Sequence, residues 1–430
     1  MGLGLGDVLL VLFFLVYLYW LTTPRLEDPD LVAECLEEAR LAHEASQRYA
    51  HDPEMNGYLS PTFYPFWGQF PLVKDREETP VETKVREWAK FSSSWSDEVD
   101  WELENLQTDP EYLELKEWFE GLAEELYREL DKPCFGVPER LGGRRLLEGH
   151  SSGLLIAGLQ ALAESYARSG DESRAFMVFG RAVQLSLKIG EAGLISGILG
   201  DGLFFRSLRN LQGSIATIHP YPENWNFLSS LCLPAESPLE SFESRLRKRL
   251  VEAWYGLQDR SPIRGLKPSS GFQRVAELLI SAVFLGLGMA KRETRFACNG
   301  LTRLITEWQA GRLESSAPSR WSLLGEICVP RDQDLLTLAN LVLSSQAGRL
   351  GLGVSAALLT HRLRQGKFPN DLGLLPREVD PELFEWDPQQ GELLVLVPTN
   401  LPAGVWKPRP EPENWIEATT RGLLFRLNPI

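Results

Sequence analysis

Residues 159–189 read LQALAESYARSGDESRAFMVFGRAVQLSLKI. Apolar side chains recur at helical spacing on both sides of Ser169-Gly170-Asp171, which predicts two helices joined by a tight turn. Glycine ends the first by adopting a left-handed backbone, and aspartate caps the second by accepting from a free amide. Leu162, Ala163 and Tyr166 on the first helix then face Ala175, Phe179 and Ala182 on the second. Small residues set against large ones let the two axes approach closely. A helical hairpin of this kind predicts a mostly α-helical chain.

The helical period continues outward. Further helices are predicted over 190–212, 238–257, 271–291 and 292–312, separated by loops carrying Pro220, Pro222, Pro234 and Pro238. The stretch 278–290 is strongly apolar but only 13 residues long, which suits a buried core helix better than a membrane span. Upstream, residues 132–150 hold two prolines, a Gly-Gly pair and a local switch to basic residues, so a linker is placed at 136–150. The expected organisation is a membrane anchor at 1–24, an acidic helical subdomain at 25–135, the linker, a helical core at 151–330, and a long helix with a small β tail at 331–430.

The Ala–aromatic alternation of Ala163, Tyr166, Gly170, Ala175, Phe179 and Ala182 resembles one tetratricopeptide repeat of about 34 residues. Leu187 stands where that family often has proline. With a single copy, the resemblance implies a packing style rather than a peptide-binding superhelix, which needs about three repeats.

Towards the C-terminus, residues 333–364 form the longest predicted helix, in which Gly348, Gly351 and Gly353 would let a neighbouring helix come close. The period then changes. Leu393–Val397 and Gly422–Leu427 are short apolar runs bounded by Gly, Pro and Asn, and predict two strands around the excursion Pro398–Trp415. The succession of long helix, Gly366-Lys367-Phe368-Pro369, Asp387-Pro388, Gly391 and strand resembles the globular end of type II secretion pseudopilins. It is closer still to uncharacterised bacterial membrane-anchored envelope proteins that place such a tail after a helical domain. In that family Gly-x-x-Pro ends the helix and Asp-Pro-x-x-Gly turns the chain into the sheet. The pseudopilin helix is itself the N-terminal anchor, whereas this one is internal, so filament assembly does not carry over.

At the N-terminus, residues 8–21 (VLLVLFFLVYLYWL) are uninterruptedly apolar, and the run extends to residues 3–21 if Asp7 is tolerated near its end. That is enough for one spanning helix of roughly 17–25 residues. Tyr17, Tyr19 and Trp20 would lie at the interface, and Pro24 stops the helix. The run lacks a basic leader and a small-x-small cleavage site, which favours a retained signal-anchor over a cleaved signal peptide.

The chain has 44 Lys plus Arg against 59 Asp plus Glu, a net charge of −15. Residues 27–131 alone hold 28 acidic and 9 basic side chains, so the excess charge belongs to one quarter of the chain. An acidic balance, with no basic cluster read in it, argues against a nucleic-acid partner. Five cysteines, Cys35, Cys134, Cys232, Cys298 and Cys328, are too widely spaced for a zinc ribbon or a disulfide scaffold. Within the aromatic stretch 57–72, Tyr58, Phe63, Tyr64, Phe66, Trp67 and Phe70 would either form a ligand platform or pack between helices.

Gly149-His150-Ser151-Ser152-Gly153 matches the G-x-S-x-G nucleophile elbow, with His219 or His361 to complete a triad. No apolar strand precedes it, and Ser151 or Ser152 capping the next helix, from Leu154, is the simpler account. No metal or cofactor constellation is seen. The expected role is therefore a non-catalytic envelope scaffold, single-pass in a bacterial inner membrane through residues 3–21, its main domain in the periplasm and its partners other envelope proteins. A component of a secretion or pilus-like machine and a serine hydrolase using Ser151 are the alternatives.

Overall fold

The computed structural model describes residues 23–63, 79–91, 108–135, 149–191, 200–208, 221–233, 237–258, 289–312, 332–377, 379–397 and 416–427, and the single positions 13, 14, 17, 66, 401 and 406. The chain is mostly helical, with a small four-stranded sheet near the C-terminus. The helices are α1 (Pro29–Ala50), α2 (Pro80–Ala89), α3 (Pro110–Leu130), α4 (Gly149–Arg168), α5 (Glu172–Glu191), α6 (Pro222–Cys232), α7 (Pro238–Gln258), α8 (Met289–Gln309) and α9 (Asp332–Gln365), with a further helical stretch at 200–208.

The hairpin of α4 and α5 forms where the sequence places it. Gly170 takes φ +80°, and the amides of Gly170 and Asp171 reach back to the carbonyls of Ala167 and Tyr166, closing the end of α4. Asp171 Oδ1 accepts from the Arg174 amide and starts α5. Ala163, Ala175, Phe179 and Ala182 are all buried, as a close crossing requires. Helix α4 begins at Gly149, inside the expected linker and five residues before the expected start at Leu154. Ser152 does not cap it: its hydroxyl donates to the Phe66 carbonyl at 2.8 Å, so the segment stays helical and ties down the aromatic stretch. The rest of the expected linker, 136–148, lies outside the described residues, as does 278–288 of the apolar stretch. The expected break between Lys291 and Arg292 falls inside α8, because Arg292 is buried within the helix rather than ending it.

Apolar packing runs across the chain rather than segment by segment. One cluster joins α2, α3, α4, α5, α6, the second half of α9 and the sheet. Within it, the Trp88 indole stacks on Phe119 and donates to the Gly158 carbonyl at 2.9 Å, and Tyr112 Oη bonds to Ser165 Oγ at 2.8 Å. Acidic helices α2 and α3 are therefore pinned directly to the central hairpin. Asp109 and Pro110 start α3 as predicted, by side-chain capping of the Glu111 amide and a fixed first-turn φ. Tyr58, Phe63 and Phe66 are fully buried, so these members of the aromatic stretch pack between helices.

The second cluster joins α1, α7, α8 and the first half of α9. Arg247 of α7 reaches Glu34 and Glu38 of α1 at 2.8 and 3.4 Å. Residues 24–27 are fastened to α8. Asn299 bonds to the Arg25 carbonyl and the Glu27 amide, Arg295 to the Pro24 carbonyl at 3.2 Å, and Arg303 pairs with Glu27.

The sheet has the order β1-β2-β4-β3, all antiparallel, from β1 (Phe384–Asp387), β2 (Glu392–Leu396), β3 (Ile416–Ala418) and β4 (Gly422–Arg426). Two strands were expected. β1 escapes the sequence because its FEWD stretch lacks an apolar run, and β3 because it is three residues long. Asp387 and Gly391, at φ +67°, make the turn from β1 into β2. Phe384, Leu393, Val395, Leu423 and Phe425 share the inward face. Of the three α9 glycines, Gly348 meets Leu208 and Phe204 of the stretch 200–208, and Gly353 meets Cys232 and Leu233 at the end of α6. Gly351 instead receives the Phe425 ring of β4, which occupies the place of a side chain.

Among the described residues no helix is long and apolar enough to cross a membrane, and most of the expected span lies outside them. Phe13, Phe14 and Tyr17 are helical, with 73%, 58% and 50% of their surface exposed.

A methyl at Gly351 would lie 2.0 Å from the Phe425 ring, whereas one at Gly121 in α3 meets nothing within 4 Å. Gly351→Ala is therefore expected to destabilise the protein by about 1–3 kcal/mol through overpacking. Gly121→Ala is expected to stabilise it by about 0.5–1 kcal/mol by removing unfolded-state freedom. Urea denaturation of the two variants checks the contrast.

Candidate functional site

The two apolar clusters meet along α9, and at the seam its buried residues turn polar. Leu335, Ala339, Val342 and Leu343 belong to one cluster and Ala347, Leu350, Leu352 and Val354 to the other, with Ser345, Gln346 and Arg349 at the junction. Here α9, α5, α7 and the stretch 200–208 leave a cavity of about 280 Å³. Close approach of Gly190 and Gly200 bounds one side, where a methyl on Gly200 would strike the Gly190 backbone at 2.4 Å.

Four charged side chains line the cavity. Asp201 and Arg245 face each other with Oδ2 and Nη2 3.4 Å apart, both buried. Lys248 follows Arg245 by three residues and so lies on the same face of α7; Arg349 comes from α9. Of these four, Asp201 and Arg245 are buried, Arg349 is half-buried and Lys248 is exposed. Arg245 also reaches the Gly190 carbonyl near the C-terminal end of α5, 3.4 Å from Nη1, and offsets the negative end of that helix. Burial pushes the Asp201 carboxyl above the usual carboxylate range, opposed by Arg245, the Ser345 hydroxyl, Arg349 and Lys248.

Two polar atoms at this seam are buried without a hydrogen-bond partner: Gln346 Oε1 and Arg349 Nε. Gln346 is 7% exposed. An unmet buried donor or acceptor costs about 1–3 kcal/mol, and such atoms are rare where nothing else is bound. Serines 186, 241, 244 and 345 supply further hydroxyls, and among the described lining residues there is no histidine or cysteine. The chemistry these side chains offer is contact through charge and hydrogen bonds.

The residues singled out from the sequence lie elsewhere. The backbone of Ser151 is in the first turn of α4, His361 is half-buried in the last turn of α9, and His219 lies outside the described residues. Among the described residues Cys35, Cys134, Cys232 and Cys298 are in no disulfide, and burial raises Cys35 to about 11 and Cys232 to about 12, leaving these two protonated and unreactive near neutrality. Among the described residues no group of three or more His, Cys, Asp and Glu side chains is placed to hold a metal ion. One signal went unused: Arg245-Leu246-Arg247-Lys248-Arg249 puts four cations in five residues, against the expectation of no basic cluster. Folding disperses them. Arg247 pairs with α1, Arg249 with Glu252, Arg245 with Asp201, and Lys248 lies exposed at the edge of the cavity.

Comparison with protein-family models, curated proteins and solved structures finds no match to this chain. The resemblances to a tetratricopeptide repeat and to the pseudopilin-like tail therefore rest on the residues quoted for them.

Because the folded state holds the Asp201 proton more tightly than the unfolded chain does, its contribution to stability falls as pH rises from about 4, the ordinary carboxylate value, through the raised folded value. Asp201→Asn has no such dependence. The stability of the parent minus that of the variant is expected to decline over this range when both are unfolded with urea from pH 4 to 7.

Proposed function

We propose that this protein is a non-catalytic scaffold of a bacterial envelope, tethered to the inner membrane by residues 3–21 and carrying a helical body on the periplasmic side for protein partners. The observation that supports the tether is the exposure of Phe13, Phe14 and Tyr17 on a helical backbone. Large apolar side chains laid open along an all-apolar run lack the burial that water demands, and lipid supplies it. The fastening of Pro24, Arg25 and Glu27 to α8 suits the same reading, since it would hold the body at a fixed attitude to the point of membrane exit.

The outer face of α3 carries Glu111, Glu114, Glu117 and Glu124, all exposed, with Leu113 46% exposed among them. Anionic headgroups would repel that face, so it would point away from the bilayer and towards a partner of basic surface.

The full chain is expected to stay with membranes through alkaline extraction and to leave them only with detergent. A form lacking residues 1–22 keeps the Pro24–Glu27 clasp and is expected to be recovered without detergent, with unchanged helical circular dichroism. Recovery of the full chain in the alkaline wash would defeat the tether.

A further inference from the structure

Two surface patches of opposite charge each hold exposed apolar side chains. At the C-terminal end of α9, Thr360 Oγ1 lies 3.5 Å from the Pro222 carbonyl, which sets the start of α6 against the last turns of α9. Leu363 and Arg364 follow Thr360 by three and four residues, so they stand on the same side of the helix, towards Tyr221. Leu363 is 50% exposed and Tyr221 61%. Arg364 and, just past the Gly366 turn, Lys367 are exposed as well, and neither has an ion-pair partner among the described residues. Tyrosine and arginine around an open leucine have the composition of an interface centre, where aromatic rings and guanidinium groups carry most of the binding energy.

The outer face of α3 is the complement. Leu113 is 46% exposed there, with Glu111, Glu114 and Glu117 exposed around it. Other carboxylates of α3 are engaged within the fold, Glu120 by Lys116, Glu125 by Thr62 and Glu129 by Lys132, whereas these three have no ion-pair partner among the described residues. We propose that the α9 end of one copy docks on the α3 face of a second copy of this chain, Leu363 and Tyr221 meeting Leu113, and Arg364 and Lys367 meeting Glu114 and Glu117. This rests on the reading of the α3 face as a surface for a basic partner, and it names that partner as the chain itself. Charge selects this pairing over others. A net charge of −15 opposes contact between copies in general, and two α3 faces repel each other directly. Setting the basic end of one copy against the acidic face of the next replaces that repulsion by attraction, which fixes orientation more than it adds affinity. The contact uses a different surface on each copy, so association continues past a dimer unless a ring closes.

Sedimentation velocity of the detergent-solubilised full chain, over a range of concentrations and salt, tests this. Concentration-dependent species beyond the monomer are expected, with a dissociation constant that rises about tenfold or more between about 50 mM and about 500 mM salt. The double variants Arg364→Glu/Lys367→Glu and Glu114→Lys/Glu117→Lys are each expected to lose the association. All four side chains are exposed, so the substitutions leave both apolar clusters intact. Mixed one to one, the two variants are expected to associate again, because the acidic α3 face of the first meets the basic α9 end of the second and the two reversed patches also match. Only a contact between these two different faces gives that rescue. A parent that stays monomeric, association indifferent to salt, variants that associate as the parent does, or a mixture that stays monomeric each overturns the proposal. Association lost in the α3 variant but kept in the α9 variant overturns it too, while leaving the α3 face to a basic partner other than this patch. Membrane release does not bear on any of these outcomes, so the tether can fail while the contact between copies stands.

Discussion

Burial of α9 on nearly every side is the constraint on which the rest of the structure depends. From Val342 to Thr360 few of its residues reach solvent, so each direction around the helix needs a covering element. The helix has 34 residues, about 50 Å at 1.5 Å per residue, too long for one small layer to enclose. Two layers enclose it in succession. Helix α7 covers the first half, in the cluster it shares with α8 and α1, and α6, the stretch 200–208 and the sheet cover the second. The glycines of its second half set the distances: Phe425 enters at Gly351, and the end of α6 presses on Gly353.

The cavity follows from the same constraint. Where one covering layer hands over to the other, neither closes on α9 completely, and Ser345, Gln346 and Arg349 occupy the gap. The polar groups buried in the seam, Asp201, Ser345 and Gln346 among them, need partners there, because an unpaired polar group is costly away from water. Asp201 and Arg245 partly meet that need by pairing across the gap, and the two unmet atoms show where the pairing stops.

The acidity of residues 27–131 also changes meaning once folded. Glu34 and Glu38 of α1 are drawn to Arg247, while α2 and α3 are locked on α4 through Trp88 and Tyr112. Much of the acidic stretch is thus the solvent face of helices whose other faces belong to two different cores.

Local patterns determined most of the helices, but not α6, whose stretch 222–232 reads as part of a proline-bearing loop although Pro222 sits in its first turn. Period, caps and breakers placed the α4–α5 hairpin, the start of α3 at Asp109-Pro110, the extent of α9 and the two long strands, because each depends on residues within a few positions of one another. The short strands β1 and β3 escaped because pairing with longer neighbours, not composition, makes them strands. The cavity could not be located from sequence at all, since its charges lie at 201, 245, 248 and 349 and only packing brings them together. Even the dense cations of 245–249 did not announce it. Helical geometry sends neighbouring charges to different faces, and which face meets solvent, an acidic helix or a buried seam is decided by tertiary structure alone.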